Sequence, residues 1–372
     1  MQMVDLKTQY EKIKPEINAA IQTVLDHGQY INGPEVKTFQ QSLEKYNRVK
    51  HVIPCANGTD ALQIALMAID AKPGDEIIVP AFTYVATAEV IGLLRLKPVM
   101  IDVDYQSFLS TPDLIEEAIT PRTKAIVPVH LYGQCADMES IMDIANKRGI
   151  HVIEDNAQAI GADIELKNKV VVKSGGIGHI GCTSFFPSKN LGCYGDGGAM
   201  MTNDDRLADK LRMIANHGQK KRYYHDVIGV NSRLDSIQAA VLNIKLSHLD
   251  AYCDARRKVA DTYDSAFHEV DALTIPQRVS YSSHVFHQYT LKVKNGRRDL
   301  LSEHLTGKGI PNMIYYPVPL YEQGAFQSLR GDLDFLPVTD RLCKEVISLP
   351  IHTEMKMQDQ EKIIETVRSF FG

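Results

Sequence analysis

The sequence predicts an α/β protein: a large domain with a mostly parallel central sheet, followed by a smaller C-terminal α+β domain. Three observations predict it. From Ala56 to about Asn203, short apolar runs alternate with helical patterns, as expected when parallel strands are joined by covering helices. Beyond Asn231 that alternation gives way to a long helical stretch and then to mixed strand-like and helical segments. A chain of 372 residues is also long enough for about two domains, placed here at 1–250 and 251–372.

Each element has its own signal. Glu11 to His27 places Ile13, Ile17, Ala20, Ile21, Val24 and Leu25 at helical spacing, and this helix is expected to pack on either lobe. The runs "EIIVP", "PVMIDV", "KAIVPVH" and "HVIEDN" read as strands, and "ATAEVIGLL", "TPDLIEEAI" and "MESIMDIANKRG" as the helices around them. Pro112 follows Thr111 where a first helical turn tolerates proline. Leu234 to Val270 reads as a long connecting helical stretch. His284 to Lys294 reads as a strand, on which His284 and His287 point to opposite faces and so do not form a metal pair.

Composition narrows the partners. With 41 basic against 46 acidic residues the chain is mildly acidic, and no basic tract suggests nucleic acid or an anionic membrane. Small molecules are the expected ligands. The N-terminus has no apolar core of signal-peptide type, and the most apolar region, Ile77 to Leu94, is interrupted by Pro80 and Glu89. A cytoplasmic protein is the expectation. The six cysteines make no CxxC pair, which argues for buried free thiols rather than a zinc site or a disulfide framework.

Three motifs carry chemistry. In "CANGTDALQIAL" a Gly58-Thr59 pair opens an amphipathic helix whose free N–H groups and dipole suit a phosphate, although the same residues also make an ordinary helix cap. In "HVIEDNAQAIGA" a strand ends in Glu154 and Asp155 with Gln158 just beyond; taken alone, Asp155 reads equally as a cap. In "SFFPSKNLGCYGDGGAM" Lys189 sits between an aromatic run and clustered glycines. A lysine desolvated in such a setting becomes a nucleophile toward carbonyls. A phosphate cradle, a carboxylate at a strand end and such a lysine together match the needs of pyridoxal 5′-phosphate, whose protonated ring accepts electrons from a neighbouring carbanion.

"NGTDAL", "FTYVATAEV", "HLYGQCADM", "VIEDNAQAIGA", "TSFFPSKNLGCYGDGGAM" and "GVNSRLDSIQAA" occur in that order, and with them the chain resembles the DegT/DnrJ/EryC1/StrS sugar aminotransferases from about Asp5 to Pro350. The resemblance implies the fold type I architecture of pyridoxal-phosphate-dependent transferases and a homodimer with active sites at the subunit interface. It implies that Lys189 forms the Schiff base and shuttles the proton, that Asp155 pairs with the pyridinium nitrogen, that Tyr84 stacks on the ring and that Gln158 lies beside its phenolic side. Gly58, Thr59 and Ser184 would hold the phosphate, joined by Asn231 from the other subunit; a strand-edge hydroxyl bonded to its own backbone is the plainer reading of Ser184. L-glutamate is the implied amino donor and a keto-sugar nucleotide the acceptor. Family members that dehydrate sugars carry histidine where this chain has Lys189, so transamination is the expected reaction.

The wording is most similar to the enzymes that aminate carbon 3 of UDP-2-acetamido-2-deoxy-3-oxo-glucuronic acid for surface polysaccharides. In that subgroup the arginine at Arg233 faces the sugar carboxylate, a pairing suited to a guanidinium; a salt bridge within the dimer interface is the plainer alternative. In "MIYYPVPL" the subgroup shows histidine where this chain has Tyr315 before Tyr316, so the hydrogen-bonding group there differs. The basic loop Gly218 to His225 reads as a solvated loop or as a contact to the nucleotide diphosphate, and His217 as a core or site histidine. Two rival readings stand beside this one: a 4-keto-6-deoxy-sugar aminotransferase of perosamine type, and a non-catalytic sensor of sugar nucleotides.

Overall fold

The structure is a computed structural model that describes residues 1–331, 333 and 335–372. In the first lobe α1 (Leu6–His27) and α2 (Pro34–Asn47) precede β1 (His51–Cys55), α3 (Gly58–Ala68), β2 (Glu76–Pro80), α4 (Ala86–Leu93) and β3 (Lys97–Ile101). Next come α5 (Pro112–Ala118), β4 (Thr123–Ile126), α6 (Met138–Arg148), β5 (His151–Asp155) and a hairpin of β6 (Asp163–Glu165) and β7 (Val171–Lys173). Then β8 (Ile180–Ser184), β9 (Gly198–Thr202), α7 (Asp205–Ala215) and a second hairpin, β10 (Gln219–Lys221) and β11 (Tyr224–His225), follow. The helices α8 (Ser236–Ser247) and α9 (Leu249–Phe267) lead to β12 (Leu273–Thr274), β13 (Tyr289–Val293), α10 (Arg298–Gly307), α11 (Pro337–Glu345), β14 (Val346–Leu349) and α12 (Met357–Phe371).

The helix starts follow capping chemistry. Asn57 accepts the Asp60 N–H at 2.8 Å, Asp137 that of Ser140 at 3.2 Å, and Thr111, just before Pro112, that of Leu114 at 3.3 Å. Each satisfies a first-turn amide that has no partner inside its helix. Asp5 does the same for Thr8 at 2.9 Å, so α1 begins at Leu6, earlier than its apolar spacing suggests.

The central sheet has the order β1-β9-β8-β5-β4-β2-β3. The pairs β2–β3, β2–β4, β4–β5 and β5–β8 are parallel, and β9 runs antiparallel to both its neighbours. Strands β2, β8 and β9 are buried along their whole length because helices cover both faces of the sheet. One face packs residues such as Ile78, Ile126 and Val152 against Phe39, Ile141 and Leu242. The other packs Ile77, Val79 and Ile153 against Ile64, Val90 and Leu211, and takes in Leu320, Tyr321 and Phe326 from late in the chain. A separate core joins Tyr263, Phe267, Leu291, Leu305, Ile347 and Ile363 around the sheet β12-β13-β14. Helix α1 packs on α8 through Ile13, Ile17 and Val241.

Two sequence expectations change. The helical stretch from Leu234 is two helices that meet at His248. The strand expected from His284 begins only at Tyr289, because Phe286 takes a left-handed φ of 45 and ends the extended run. His284 and His287 are therefore not placed by strand alternation. Both are buried, with the His284 ring stacked on Phe286 at 3.8 Å. Among the described residues no cluster of ligating side chains could hold a metal ion, all six cysteines are free and buried, and no helix is long and apolar enough to cross a membrane.

Candidate active site

Ligands of parallel sheets gather beyond the carboxyl ends of the strands. At that edge Asp155 closes β5, Ser184 closes β8, and Gly58 follows shortly after β1. A cavity of ≈ 790 Å³ opens there. It is lined by Gly58, Thr59, Tyr84, Asp155, Gln158, Ser184, Lys189, Tyr315 and Tyr316, nine of the residues singled out in the sequence. The remaining two, Asn231 and Arg233, do not line it. Asn231 is exposed and bridges to Asn216, while the Oγ of the next residue, Ser232, accepts the Ala56 N–H at 3.0 Å. Arg233 makes no ion pair among the described residues.

At the phosphate end the backbone is crowded. A Cβ built on Gly58 would lie 2.8 Å from the Ser184 Cβ, and one on Gly198 would lie 2.5 Å from the Asn57 carbonyl carbon. Only glycine lets the start of α3 lie this close to β8 and β9. The amides of Gly58 and Thr59 belong to the first turn and have no intrahelical partner, so they are free for an anion. The Ser184 Oγ lines the cavity and also accepts the Phe186 N–H at 3.3 Å, so the local hydrogen bond of the plainer reading is present.

Asp155 is no helix cap. Its Oδ2 accepts from the Thr87 hydroxyl at 2.7 Å and its Oδ1 from the Ala157 N–H at 3.1 Å, while its backbone stays tied to Pro128 and His130. The neighbouring Glu154 turns away into a fully buried pair with His130 at 2.9 Å. It also accepts the N–H groups of Gly175 and Ile177 at 2.8 and 2.7 Å. Burial would raise the Glu154 carboxyl, but the His130 contact and the amides of Gly178 and Gly175 hold it below its ordinary value. Glu154 is thus structural and Asp155 faces the cavity.

Lys189 stands in the turn after β8, its backbone N–H bonded to the Phe186 carbonyl at 2.8 Å. The side chain is half-buried and opens onto the cavity rather than bulk water. Burial lowers its amine to about 8, partly offset by the Asp155 carboxylate. A lysine near neutrality supplies both the free base and the acid that proton transfer needs.

The opposite wall is aromatic. Gln158 accepts the Tyr132 N–H at 2.6 Å and donates to the Tyr316 hydroxyl at 3.2 Å. Tyr84, 57% exposed, lies with its ring 6.3 Å from that of Tyr316. Tyr84 lines the cavity, where a planar ligand could stack on its ring. The loop Gly218 to His225 forms the exposed β10–β11 hairpin, and neither it nor His217 lines the cavity. Thr87, His287 and Gln288 belong to the site's surroundings and were not singled out as site residues in the sequence; Thr87 could have been noticed as a hydroxyl one turn after Tyr84.

The family model described as "DegT/DnrJ/EryC1/StrS aminotransferase family" matches residues 11–368. The chain belongs to this family. It is 49% identical over 352 residues to the UDP-2-acetamido-2-deoxy-3-oxo-D-glucuronate aminotransferase of Pseudomonas aeruginosa, covering 95% of each chain. It is 46% identical over 371 residues to a pleiotropic regulatory protein of Geobacillus stearothermophilus, covering 99% of this chain and 98% of the other. A DegT/DnrJ/EryC1/StrS aminotransferase from Brucella abortus superposes with a TM-score of 0.95 at 43% identity, with both chains fully covered. The protein from Bacillus subtilis solved with bound cofactor PMP superposes with a TM-score of 0.89 at 31% identity, over 97% of this chain and 82% of the other.

The fold is accordingly that of the fold type I transferases, and the protein is a sugar aminotransferase that uses pyridoxal 5′-phosphate. The cavity suits that group: backbone amides without helical partners at the start of α3, a carboxylate already oriented by two donors, and an amine near neutrality.

Proposed function

We propose that this chain moves an amino group from L-glutamate to UDP-2-acetamido-2-deoxy-3-oxo-D-glucuronic acid, giving the 3-amino sugar for O-antigen or lipopolysaccharide-type glycans in the cytoplasm. The pairing of Lys189 with the cradled Asp155 in one cavity carries the transamination. The 49% identity to an enzyme named for that sugar, together with an Arg233 guanidinium that makes no ion pair among the described residues, supports the acceptor. When bound, the cofactor supplies an electron sink that makes the carbon next to nitrogen acidic.

In this reading the residues divide the work. Gly58, Thr59 and Ser184 bind the phosphate, Asp155 keeps the ring nitrogen protonated, Tyr84 covers one ring face and Gln158 borders the phenolic edge. Lys189 Nζ takes the proton from the α-carbon of glutamate and, in the second half, delivers a proton to carbon 3 of the sugar. Tyr315 and Tyr316 donate to sugar oxygens. Asn231 and Arg233, which do not line the cavity of their own chain, serve the site of a partner copy in a homodimer. The chain divides at 250/251 into a cofactor-binding domain and a smaller domain that closes the cavity.

The test follows the cofactor's absorbance as L-glutamate and then the UDP-linked keto-uronic acid are added. Wild-type protein is expected to lose its visible band with glutamate and regain it with the sugar, while Lys189→Ala does neither. Regain only with a 4-keto-6-deoxy sugar would move the acceptor to the perosamine type and remove the role of Arg233. A non-catalytic sensor has one observation in its favour, the name of the Geobacillus relative; tight sugar-nucleotide binding without any response to glutamate would establish it.

A further inference from the structure

Two glutamine amides stand in the wall of the Lys189 cavity, and the fold treats them differently. Gln158 is used at both ends, accepting the Tyr132 N–H and donating to the Tyr316 hydroxyl. Gln288 is 9% exposed, and its Oε1 is buried with no hydrogen-bond partner. Among the described residues two other atoms of the cavity wall share that state, Thr83 Oγ1 and His287 Nδ1. A hydroxyl turns to suit its surroundings and an imidazole exchanges its proton between nitrogens, whereas an amide oxygen can only accept. A buried acceptor left empty costs free energy, so the partner missing from Gln288 is the best defined of the three: an N–H or an O–H.

The backbone fixes where this amide stands. Gln288 immediately precedes β13, and its own N–H donates to the Tyr132 carbonyl at 3.4 Å. Just before it, Nη1 of the buried Arg256 clamps the carbonyls of Phe286 and His287, donating to each at 3.1 Å. On the other side, a Cβ on Gly133 would lie 3.0 Å from the backbone nitrogens of both residues, so the segment packs directly on backbone. The side chain keeps one freedom. The last side-chain bond of a glutamine has a broad, two-fold torsion, so the oxygen can turn from the wall to the cavity at low cost. Beside it in the wall is Tyr315, whose hydroxyl is raised by burial and partly brought back by the Gln288 amide.

The two substrates differ in what they offer such an oxygen. Glutamate, with its nitrogen engaged in the transfer, presents two carboxylates, which only accept. A keto-sugar nucleotide presents N–H or O–H donors on the carbons flanking its carbonyl. We infer that Gln288 is a specificity-determining residue for the sugar, its Oε1 accepting a hydrogen bond from a donor next to the keto carbon, either the acetamido N–H on carbon 2 or the hydroxyl on carbon 4. The inference rests on the acceptor proposed above. A site that accepts from a substrate donor rejects an analogue lacking that donor more strongly than an apolar pocket does, because its own oxygen is then left empty.

The test measures the two half-reactions separately by absorbance. Gln288→Met, of similar length but without the acceptor, is expected to lower kcat/KM for UDP-2-acetamido-2-deoxy-3-oxo-D-glucuronic acid by about tenfold. It should leave the glutamate half-reaction unchanged, which also shows that the variant is folded. Two analogues, one lacking the acetamido group and one lacking the 4-hydroxyl, locate the donor. Wild type should lose about tenfold on one of them, and Gln288→Met should lose nothing further on that same analogue, since the contact is already gone. Gln288→Glu, which keeps an accepting oxygen, should retain the discrimination. Should Gln288→Met not fold, Gln288→Leu gives the same comparison. Equal losses by wild type and variant on both analogues overturn the inference, as does an equal fall in the glutamate half-reaction. A wild-type protein that answers glutamate but not the UDP-linked sugar overturns the proposed acceptor instead, and the same comparison on a 4-keto-6-deoxy sugar with and without its 3-hydroxyl then decides Gln288.

Discussion

Thr87 holds Asp155 through a single oxygen. It is 1% exposed, and its hydroxyl fixes one Asp155 oxygen while the Ala157 amide fixes the other. Two donors set the plane of the carboxylate before any ligand arrives, so little reorganisation remains for binding. Thr87→Val keeps the shape and removes the donor. A lost hydrogen bond to a charged group is worth about 1.5–3 kcal/mol, and with only part of this expressed in binding, the cofactor dissociation constant should rise roughly tenfold. Thr87→Ser should bind as wild type does. Absorbance titration of the apoproteins measures both, and a Val variant that binds normally would reduce Thr87 to a packing residue.

At the scale of elements, β2, β3 and the approach to β4 are locked together at the edge of the sheet remote from the cavity by one carboxylate. Glu76, 1% exposed, receives Arg122 Nη2 at 2.6 Å, Lys97 Nζ at 3.2 Å and the Thr120 hydroxyl. Burial alone would raise its pKa, but these donors bring it from 4.5 to about 2. A group depressed in the folded state gives stability that is complete above its unfolded value and fades as pH falls through the folded one. Glu76→Gln should therefore cost about 2 kcal/mol at pH 7, allowing for the half-exposed cations, and the gap to wild type should close between about pH 4.5 and 2. Urea unfolding across that range measures it; a gap independent of pH would mean that packing, not charge, is lost. The same sheet shows what the sequence reveals. Strands β2 to β5 could be read because each lies in a short apolar run, buried throughout in β2 and in part in β3 and β4. Strands β8 and β9, "IGCTS" and "GAMMT", escaped because small residues stand where backbone approaches backbone, as Gly198 meets Asn57. Likewise His287 was misplaced because periodicity cannot register a clamp by Arg256, some thirty residues away. Lys189 and Asp155, which line the cavity, could be singled out because their motifs are local, whereas the contact of Thr87 with Asp155 is one that only the fold creates.

At the scale of the whole molecule, a single copy presents a cavity without two of the residues that its sequence motifs assign to it. Asn231 and Arg233 lie outside, on a segment whose neighbour Ser232 is tied to Ala56. Tyr30, Ile31, Phe186, Tyr223, Tyr224 and Ile228 are exposed large apolar side chains, more than scattered surface residues require. A two-fold dimer would cover them and bring each Asn231 to the other copy's phosphate site. That arrangement has a consequence a monomer cannot imitate. Lys189→Ala and Asn231→Ala proteins, each of low activity alone, are unfolded and refolded together at equal concentration. Each mixed dimer then holds one site with both defects and one with neither. With half of the dimers mixed, about a quarter of wild-type activity should return. If the two residues served the same chain's site, every site would carry one defect and mixing would restore nothing; recovery near a quarter would place the partner's asparagine in the site.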